Sequence, residues 1–350
     1  MDFIKLQSIL KEIGEPAFRY RQIKDAFTKQ FVLDFKNIST ISKSLAEDLA
    51  EKISPLSFKA EKILESKDGL SFKALLRLSD GAVIETVLLS PLPGRWSACL
   101  SSQVGCSLAC RFCATGQGGF RRNLTSEEIT DQVLFWKNFF KEKKLAGKFS
   151  SLVFMGMGEP FLNWPEVKSA LKILIDKEFF NLGSRSISVS TSGIPDGIKN
   201  MAREFPQINL AVSLIFPNDR QRSQYMPVNR RFNLNQLKKA LTYYFSKTNR
   251  KVFFEYVMFK GLNDQAAQAD ELIEFIKSIE GGAKLIHVNL IRYNAASGGF
   301  SPSDAKTTEW FKDYLKWFKD YLNKNKVGAT IRKSLGEEIK GACGQLAGNQ

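Results

Sequence analysis

Three of the five cysteines of this 350-residue chain lie in the stretch Cys106-Ser-Leu-Ala-Cys110-Arg-Phe-Cys113. The stretch directly follows a strand-like segment, Ser97–Leu100, so the three thiols share one loop at a strand end. Three thiolates leave one metal position without a protein ligand, which suits an iron–sulfur cluster that binds a substrate or cofactor at its open iron. The alternative is a zinc site, which four ligands normally close, with Cys99 as the fourth.

After this loop, strand-like and helix-like segments alternate along the chain. Thr125 stands three residues before Glu128, a pattern typical of a capped helix start, and a helix is predicted over Ser126–Phe140. Alternating strands and helices predict parallel βαβ units in an α/β fold, a barrel or partial barrel with its chemistry at the carboxyl ends of the strands. The predicted strands are Ser97–Leu100, Ser151–Met155, Ser186–Ser190, Ile208–Leu214, Lys251–Val257 and Lys284–Leu290.

The residues before the barrel predict a small accessory domain of helices and antiparallel strands. A basic face formed by Arg19, Arg21 and Lys24 indicates either RNA contact or an ordinary solvated helix face. The turn Ser79-Asp80-Gly81 separates two strand-like stretches and predicts a hairpin. We expect a helical, RNA-binding region at 1–55, an antiparallel extension at 56–91, the barrel at 92–335 and a tail carrying Cys343 at 336–350.

Net charge, histidine content and the distribution of apolar residues restrict the kinds of function that the chain can have. Lys and Arg total 51 against 36 acidic residues, a net charge of +15, which fits a polyanionic partner or simply a basic enzyme. His287 is the single histidine and lies on an apolar strand, which disfavours multi-histidine metal sites. No signal-peptide core and no long apolar run is present, so we expect a cytoplasmic protein without a membrane partner.

Several motifs together resemble one branch of the radical S-adenosylmethionine (SAM) superfamily, the RlmN/Cfr family of RNA adenine methyltransferases. The resemblance extends over essentially the whole chain. It rests on Cys99-Leu-Ser-Ser-Gln-Val-Gly-Cys106, Cys113-Ala-Thr-Gly, Arg122-Asn-Leu124, Met155-Gly-Met-Gly-Glu-Pro160, Ser190-Thr-Ser-Gly193, Met226-Pro-Val-Asn229, Val288-Asn-Leu-Ile-Arg-Tyr-Asn294 and Ala342-Cys-Gly-Gln-Leu346.

The resemblance implies a fold and two cofactors. The fold is the radical SAM partial (β/α)6 barrel, similar to a TIM barrel. Cys106, Cys110 and Cys113 would bind a 4Fe–4S cluster, whose electron cleaves SAM to methionine and a 5′-deoxyadenosyl radical. The residues that match the SAM site are Gly158, Glu159, Ser190, Ser213, Leu214, Ile215 and Asn294. Ile215 stands where the family usually has histidine, so a side-chain contact to SAM would differ while a backbone contact would not.

The resemblance also implies roles for two further thiols and one carboxylate. Cys343 would be methylated by a first SAM, and hydrogen abstraction from that methyl by a second would let the carbon add to adenine. Cys99 would then attack the sulfur of Cys343 and release the base through a transient disulfide. Glu85 matches the proton acceptor from the adenine carbon, and otherwise it is a plain exposed strand residue.

The implied reaction methylates carbon 2 of one adenine in 23S rRNA near the peptidyl-transferase centre and one in the tRNA anticodon loop. A monomer and a low-potential electron donor such as flavodoxin or ferredoxin are further expectations. The pairs Arg121-Arg122 and Arg230-Arg231 could grip phosphates. The alternatives are carbon 8 methylation of 23S rRNA, another radical SAM enzyme acting on protein or a small molecule, and a zinc-stabilised RNA-binding protein.

Overall fold

The structure is a computed structural model. It describes the backbone of residues 1–295 and 308–348, and the side chains of 1–295 and 316–348. Residues 296–307, which fall within the predicted barrel, and residues 349 and 350 of the predicted tail lie outside the described part.

The N-terminal part contains three helices followed by three antiparallel strands. Gly81, at φ +80°, allows the tight turn between the second and third strands, so the predicted hairpin is confirmed. The helices are α1 Phe3–Glu12, α2 Ala17–Thr28 and α3 Lys43–Lys52, and the strands are β1 Phe58–Glu65, β2 Ser71–Leu78 and β3 Val83–Leu92.

Parallel strands make up the rest of the main sheet. The runs in the middle of this series are largely buried, as expected of parallel strands covered on both faces, whereas the last strand is mostly exposed. These strands are β4 Arg95–Cys99, β7 Lys148–Phe154, β8 Ile187–Thr191, β9 Asn209–Ser213, β10 Val252–Met258, β11 Ile286–Arg292 and β12 Gly328–Arg332. A separate two-stranded ribbon pairs β5 Gln103–Gly105 with β6 Phe120–Asn123.

Helices connect the parallel strands. Thr125 and Glu128 form the predicted capping box at the start of the first long helix. The helices are α4 Ala114–Gln117, α5 Ser126–Glu142, α6 Trp164–Ile175, α7 Pro195–Glu204, α8 Asp219–Tyr225, α9 Val228–Arg231, α10 Leu234–Lys247, α11 Ala266–Ser278 and α12 Thr308–Lys324.

The strand order in the described sheet is β1-β2-β3-β4-β7-β8-β9-β10-β11-β12. The neighbours from β4 onward are parallel, so their carboxyl ends meet at one edge. Each of the six predicted strands overlaps an observed parallel strand, and the predicted α/β partial barrel is confirmed.

The sheet continues across the predicted domain boundary at residue 92. Strand β3 ends at Leu92 and pairs antiparallel with β4, so the accessory strands and the barrel share one sheet. The division into domains therefore stays a prediction. No helix in the described residues has the length and apolarity that crossing a bilayer requires.

A buried hydroxyl joins the accessory strands to the barrel. The Thr86 hydroxyl donates to the Cys99 carbonyl at 2.7 Å and accepts from the Trp136 indole N–H at 3.0 Å. Both Thr86 and Trp136 are fully buried. One side chain therefore links β3, β4 and α5 beside Cys99.

We predict that Thr86→Val lowers the free energy of unfolding by about 3 kcal/mol, because two buried polar groups lose their partner without a change of shape. Urea unfolding measures the loss. The matched control is Thr130→Val in α5, whose buried hydroxyl bonds only to the Glu127 carbonyl one turn earlier and should cost under about 1 kcal/mol. Equal losses in the two variants would contradict the bridging role of Thr86.

Candidate active site

The cysteine loop folds into a compact turn at the carboxyl end of the first parallel strands. The Cys106 N–H donates to the Gly119 carbonyl at 2.7 Å, and the Cys113 N–H donates to the Cys110 carbonyl at 3.1 Å. A Cβ on Gly116 would lie 2.9 Å from the Cys110 nitrogen, so α4 packs directly on the loop. All three thiols are thereby held on one short segment.

The three cysteines of this loop are wholly or partly buried. Cys110 is buried, and Cys106 and Cys113 are half-buried. Burial raises the pKa of Cys106 to about 12 and that of Cys110 well above its ordinary value. Such thiols become ligands where a bound cation replaces their protons.

The arrangement of these thiols also bears on the kind of metal group they fit. Among the described residues, no three His, Cys, Asp or Glu side chains converge on a point suited to one metal ion. In a 4Fe–4S cluster each thiolate ligates its own iron, so such convergence is not required. The assignment of Cys106, Cys110 and Cys113 as ligands stays a prediction.

Gly158 and Glu159 form the turn after β7. Gly158 has φ +99°, and a Cβ there would lie 2.5 Å from the Gln103 side chain, so this backbone passes close to β5. Glu159 is buried, its carboxylate accepts from the backbone N–H groups of Phe161 at 3.0 Å and Ser192 at 2.7 Å, and burial raises its pKa. A buried carboxylate held this way is oriented to receive a cationic group.

The next strand ends carry the other predicted SAM residues. Ser190 and Ser213 lie on β8 and β9, which are neighbours in the sheet. Ile215 follows at φ +61°, a conformation that a β-branched residue rarely adopts. Its carbonyl accepts from the Asn263 side chain at 2.9 Å, and its own side chain is buried. The segment is thus held in a strained shape through its backbone, as is common at functional sites.

Arg222 is a site residue that the sequence analysis missed. It is 1% exposed, and its guanidinium donates to the carbonyls of Ser192 at 2.6 Å and Leu214 at 3.2 Å. It also donates to the Asn229 side chain at 3.0 Å. Burial lowers the pKa of Arg222 to about 10, and the nearby Cys110 opposes this shift. Arg222 lies in a short polar helix, and nothing in that local sequence indicates that it is buried. The one available signal was its partner Asn229, which belongs to the motif Met226-Pro-Val-Asn229.

The C-terminal tail crosses the same edge of the sheet. The Ala114 N–H donates to the Gly344 carbonyl at 2.8 Å, and the Thr115 hydroxyl donates to the Leu346 carbonyl at 2.5 Å. On the other side the Gln345 amide donates to the Ala295 carbonyl at 3.0 Å. The tail is therefore tied both to the helix after the cysteine loop and to the chain following β11.

Asn294 lies under the tail with one atom unsatisfied. Its side-chain N–H group donates to the Cys343 carbonyl at 3.4 Å, while its buried Oδ1 has no hydrogen-bond partner in the described protein. A buried amide oxygen usually has a donor. The site therefore fits a ligand that brings one, such as the amino groups of SAM.

The tail brings Cys343 close to Cys99. Cys343 is accessible to solvent, yet surrounding protein raises its pKa to about 12, with the Glu255 carboxylate and Cys113 adding to the effect. Burial also raises the pKa of half-buried Cys99 to about 12, and Cys343 adds to that rise. Cys343 is therefore near enough to Cys99 to influence its charge, although the two residues lie far apart in sequence.

Glu85 is buried, and the reading of it as an exposed strand residue is wrong. Its carboxylate accepts from the Lys73 ammonium at 2.9 Å and from the Ala347 N–H at 2.8 Å. The predicted proton acceptor thus contacts the tail that carries Cys343.

Two of the basic residues proposed for phosphate contact are occupied within the protein. Arg122 forms hydrogen bonds to both carboxylate oxygens of Glu128 and to Asp80. Lys24 is 5% exposed and pairs with Glu178, so it is not on a solvated basic face. The burial of Lys24 contradicts its place on a basic helix face. Arg122 is paired with intramolecular acids but 32% exposed, so its contact with phosphate stays a prediction.

Comparison with known proteins places this site in a family context. Residues 100–276 match the model of the Radical SAM superfamily. The chain is 40% identical to the ribosomal RNA large subunit methyltransferase Cfr of Clostridium botulinum strain Hall, over 98% of this chain and 96% of that protein. It is 41% identical to the probable dual-specificity RNA methyltransferase RlmN of Chloroflexus aurantiacus, over 98% of this chain and 90% of that protein.

A solved structure agrees with these relatives. The crystal structure of a radical SAM methyltransferase from Sphaerobacter thermophilus superposes with a TM-score of 0.89 at 36% identity, covering 100% of this chain and 98% of that one. The similarity therefore includes the accessory strands and the tail as well as the barrel.

We predict that Arg222→Met lowers the thermal unfolding midpoint by roughly 3 to 6 °C, because buried carbonyls at the ends of β8 and β9 lose their donor. Differential scanning calorimetry measures the midpoint. Arg220→Met, an exposed position in the same helix, is the matched control and should leave the midpoint unchanged. A midpoint that falls equally in both variants, or in neither, would contradict the account of Arg222.

Proposed function

The chain belongs to the radical SAM superfamily, in the family of the Cfr and RlmN methyltransferases, and we propose that it methylates carbon 2 of an adenine in RNA. The proposed targets are an adenine of 23S rRNA near the peptidyl-transferase centre and one in the tRNA anticodon loop, in the cytoplasm. The observation that supports the proposal is the docking of the tail, which holds Cys343 next to the helix that follows the cysteine loop and near Cys99. Another radical SAM enzyme would have no need of that thiol pair.

The cofactors are assigned to the residues at the carboxyl ends of the strands. When bound by Cys106, Cys110 and Cys113, a 4Fe–4S cluster would supply the electron that splits SAM into methionine and a 5′-deoxyadenosyl radical. Glu159 would accept from the SAM ammonium, with Gly158 allowing close backbone approach. The remaining SAM contacts fall to Ser190, Ser213, Leu214, Ile215 and Asn294. The strained backbone of Ile215 favours a main-chain contact there, which tolerates isoleucine in place of histidine.

Cys343 carries the carbon in this proposal. Its sulfur bonds to the methyl group of a first SAM as the sulfonium–methyl bond breaks and the thiol proton leaves. A cysteine thiol is mostly protonated at neutral pH, so this step needs a proton acceptor. The S-methyl group would give up one hydrogen atom to the 5′-deoxyadenosyl radical derived from a second SAM, and the resulting methylene carbon bonds to the adenine carbon.

Glu85 and Cys99 complete the transfer. Glu85 takes the proton from the adenine carbon, and the one electron that the base also gives up would return to a cluster held by Cys106, Cys110 and Cys113. The Cys99 sulfur then bonds to the sulfur of Cys343, and the bond from that sulfur to the transferred carbon breaks with its electron pair on the carbon, which is protonated. The methylated base leaves, and an external reductant restores both thiols. The position of Cys99 beside Cys343 supports this step.

Carbon 8 is the second candidate target, and the 40% identity to Cfr favours it. The segment from Cys99 to Cys106 resembles the carbon 2 enzymes more closely, and we therefore propose carbon 2. A monomer that receives electrons from flavodoxin or ferredoxin completes the proposal. The superfamily match favours an enzyme over a zinc-stabilised RNA-binding protein.

We predict that anaerobic reconstitution with iron and sulfide gives a brown protein, and that SAM then adds one methyl group to the tryptic fragment 341–350. With 23S rRNA, SAM and a reductant, nucleoside mass spectrometry should find 2-methyladenosine. Cys343→Ala should stay brown and form none, whereas Cys99→Ala should keep the tail methyl and trap RNA covalently, because nothing resolves the adduct.

Three results would contradict parts of this proposal. A colourless zinc protein removes the radical chemistry, and methyladenine made by Cys343→Ala removes the S-methylcysteine route. The 8-methyl isomer would replace carbon 2 by carbon 8 as the target and leave the route intact.

A further inference from the structure

Lys73 and Glu85 form a buried ion pair between β2 and β3. Leu75 stands opposite Glu85 in the register, so Lys73 is its diagonal neighbour on the same face, within reach of a long side chain. The ammonium–carboxylate distance is 2.9 Å, and both side chains are 2% exposed. Because an unpaired buried charge costs several kcal/mol, removal of either partner would leave the other without its compensating group.

The second oxygen of Glu85 holds the C-terminal tail. It accepts from the Ala347 N–H at 2.8 Å, across 262 positions of sequence. The next residue, Gly348, packs so closely that a Cβ would lie 2.6 Å from the Met157 methyl and 2.8 Å from the Val83 carbonyl. The tail end is thus seated against β3 rather than lying loosely on the surface.

The backbone of Glu85 is connected to the rest of the site. Its N–H donates to the Met157 sulfur at 3.2 Å, and its carbonyl accepts from the Ser101 hydroxyl at 2.6 Å. The same hydroxyl accepts from the Met157 N–H at 2.9 Å. Glu85 therefore has a fixed position between the turn after β7 and the segment that follows Cys99.

A docked tail excludes a substrate from Glu85. With 2% of the residue exposed and both oxygens engaged, no adenine carbon can approach the carboxylate. Ala347 must leave Glu85 before Glu85 accepts a proton. The tail therefore requires at least two positions. In one Ala347 is bonded to Glu85, and in the other Glu85 is open to the substrate.

We propose that Lys73 and Glu85 form a charge-dependent latch for the tail, with Lys73 as the positioning residue. Lys73 holds the carboxylate aimed at Ala347, and a hydrogen bond to a charged acceptor is about twice as strong as one to a neutral acceptor. Because the docked tail covers Glu85, the bond from Ala347 has to open before adenine reaches the carboxylate, so release of the tail precedes the proton transfer. The release step rests on the proposed function, whereas the latch does not.

Hydrogen–deuterium exchange of the C-terminal peptide tests the latch in the reconstituted full-length protein without RNA. Lys73→Met and Glu85→Gln should each speed amide exchange at 344–348 by roughly tenfold, because each removes the charge-assisted bond. The double variant should exchange no faster than either single variant, since both changes break one latch.

The exposed ion pair Arg77–Glu61 provides the matched control. It joins β2 to β1 in the same sheet, and none of its hydrogen bonds reaches the described part of the tail, so Arg77→Met and Glu61→Gln should leave tail exchange at the wild-type rate. Exchange in Lys73→Met equal to wild type, or a hundredfold additive effect in the double variant, would overturn the proposal.

Two further measurements address a folding failure of the single variant and a failure of the proposed function. Lys73→Met alone could fail to fold, because Glu85 is left unpaired. The double variant Lys73→Met/Glu85→Gln has no buried charge at these positions and side chains of similar volume, so its exchange rate then provides the test. A tenfold gain in the double variant supports the latch, and wild-type exchange overturns it. Methylation of Cys343 by SAM is measured on the same samples, so a failure of the proposed function is seen separately from a failure of the latch.

Discussion

The C-terminal tail lies across the carboxyl ends of the parallel strands, and the chemistry assigned to the site depends on this docking. Hydrogen bonds from Ala114 and Thr115 hold one side of the tail, and Gln345 holds the other. Without them Cys343 would be a solvated thiol near a chain end. With them it lies beside Cys99 in an environment that raises the pKa of both.

Buried charge organises the rest of the site. Arg222 ties the ends of β8 and β9 together below the predicted cluster ligands, and Lys73 orients Glu85 against the tail. Each of these cations has polar partners, as burial requires. These hydrogen bonds hold the two charged side chains at fixed positions in the site.

The sequence predicted what depends on local patterns and missed what depends on tertiary contacts. The strands and the capped helix follow from periodicity and caps, and the cysteine loop from spacing. Burial of Lys73 and Arg222 could not be predicted, because no local pattern distinguishes a buried cation from a surface one. For the same reason the sequence did not show that Arg122 pairs with Glu128 and Asp80.

Disulfide mapping tests whether the sulfurs of Cys99 and Cys343 come close enough to form a bond. The reconstituted protein is treated with diamide, so that the predicted ligands are protected by the cluster, and digested under non-reducing conditions. The account predicts one dominant cross-link, between the peptides that carry Cys99 and Cys343. A free Cys343, or one that pairs mainly with small thiols or other proteins, would contradict it.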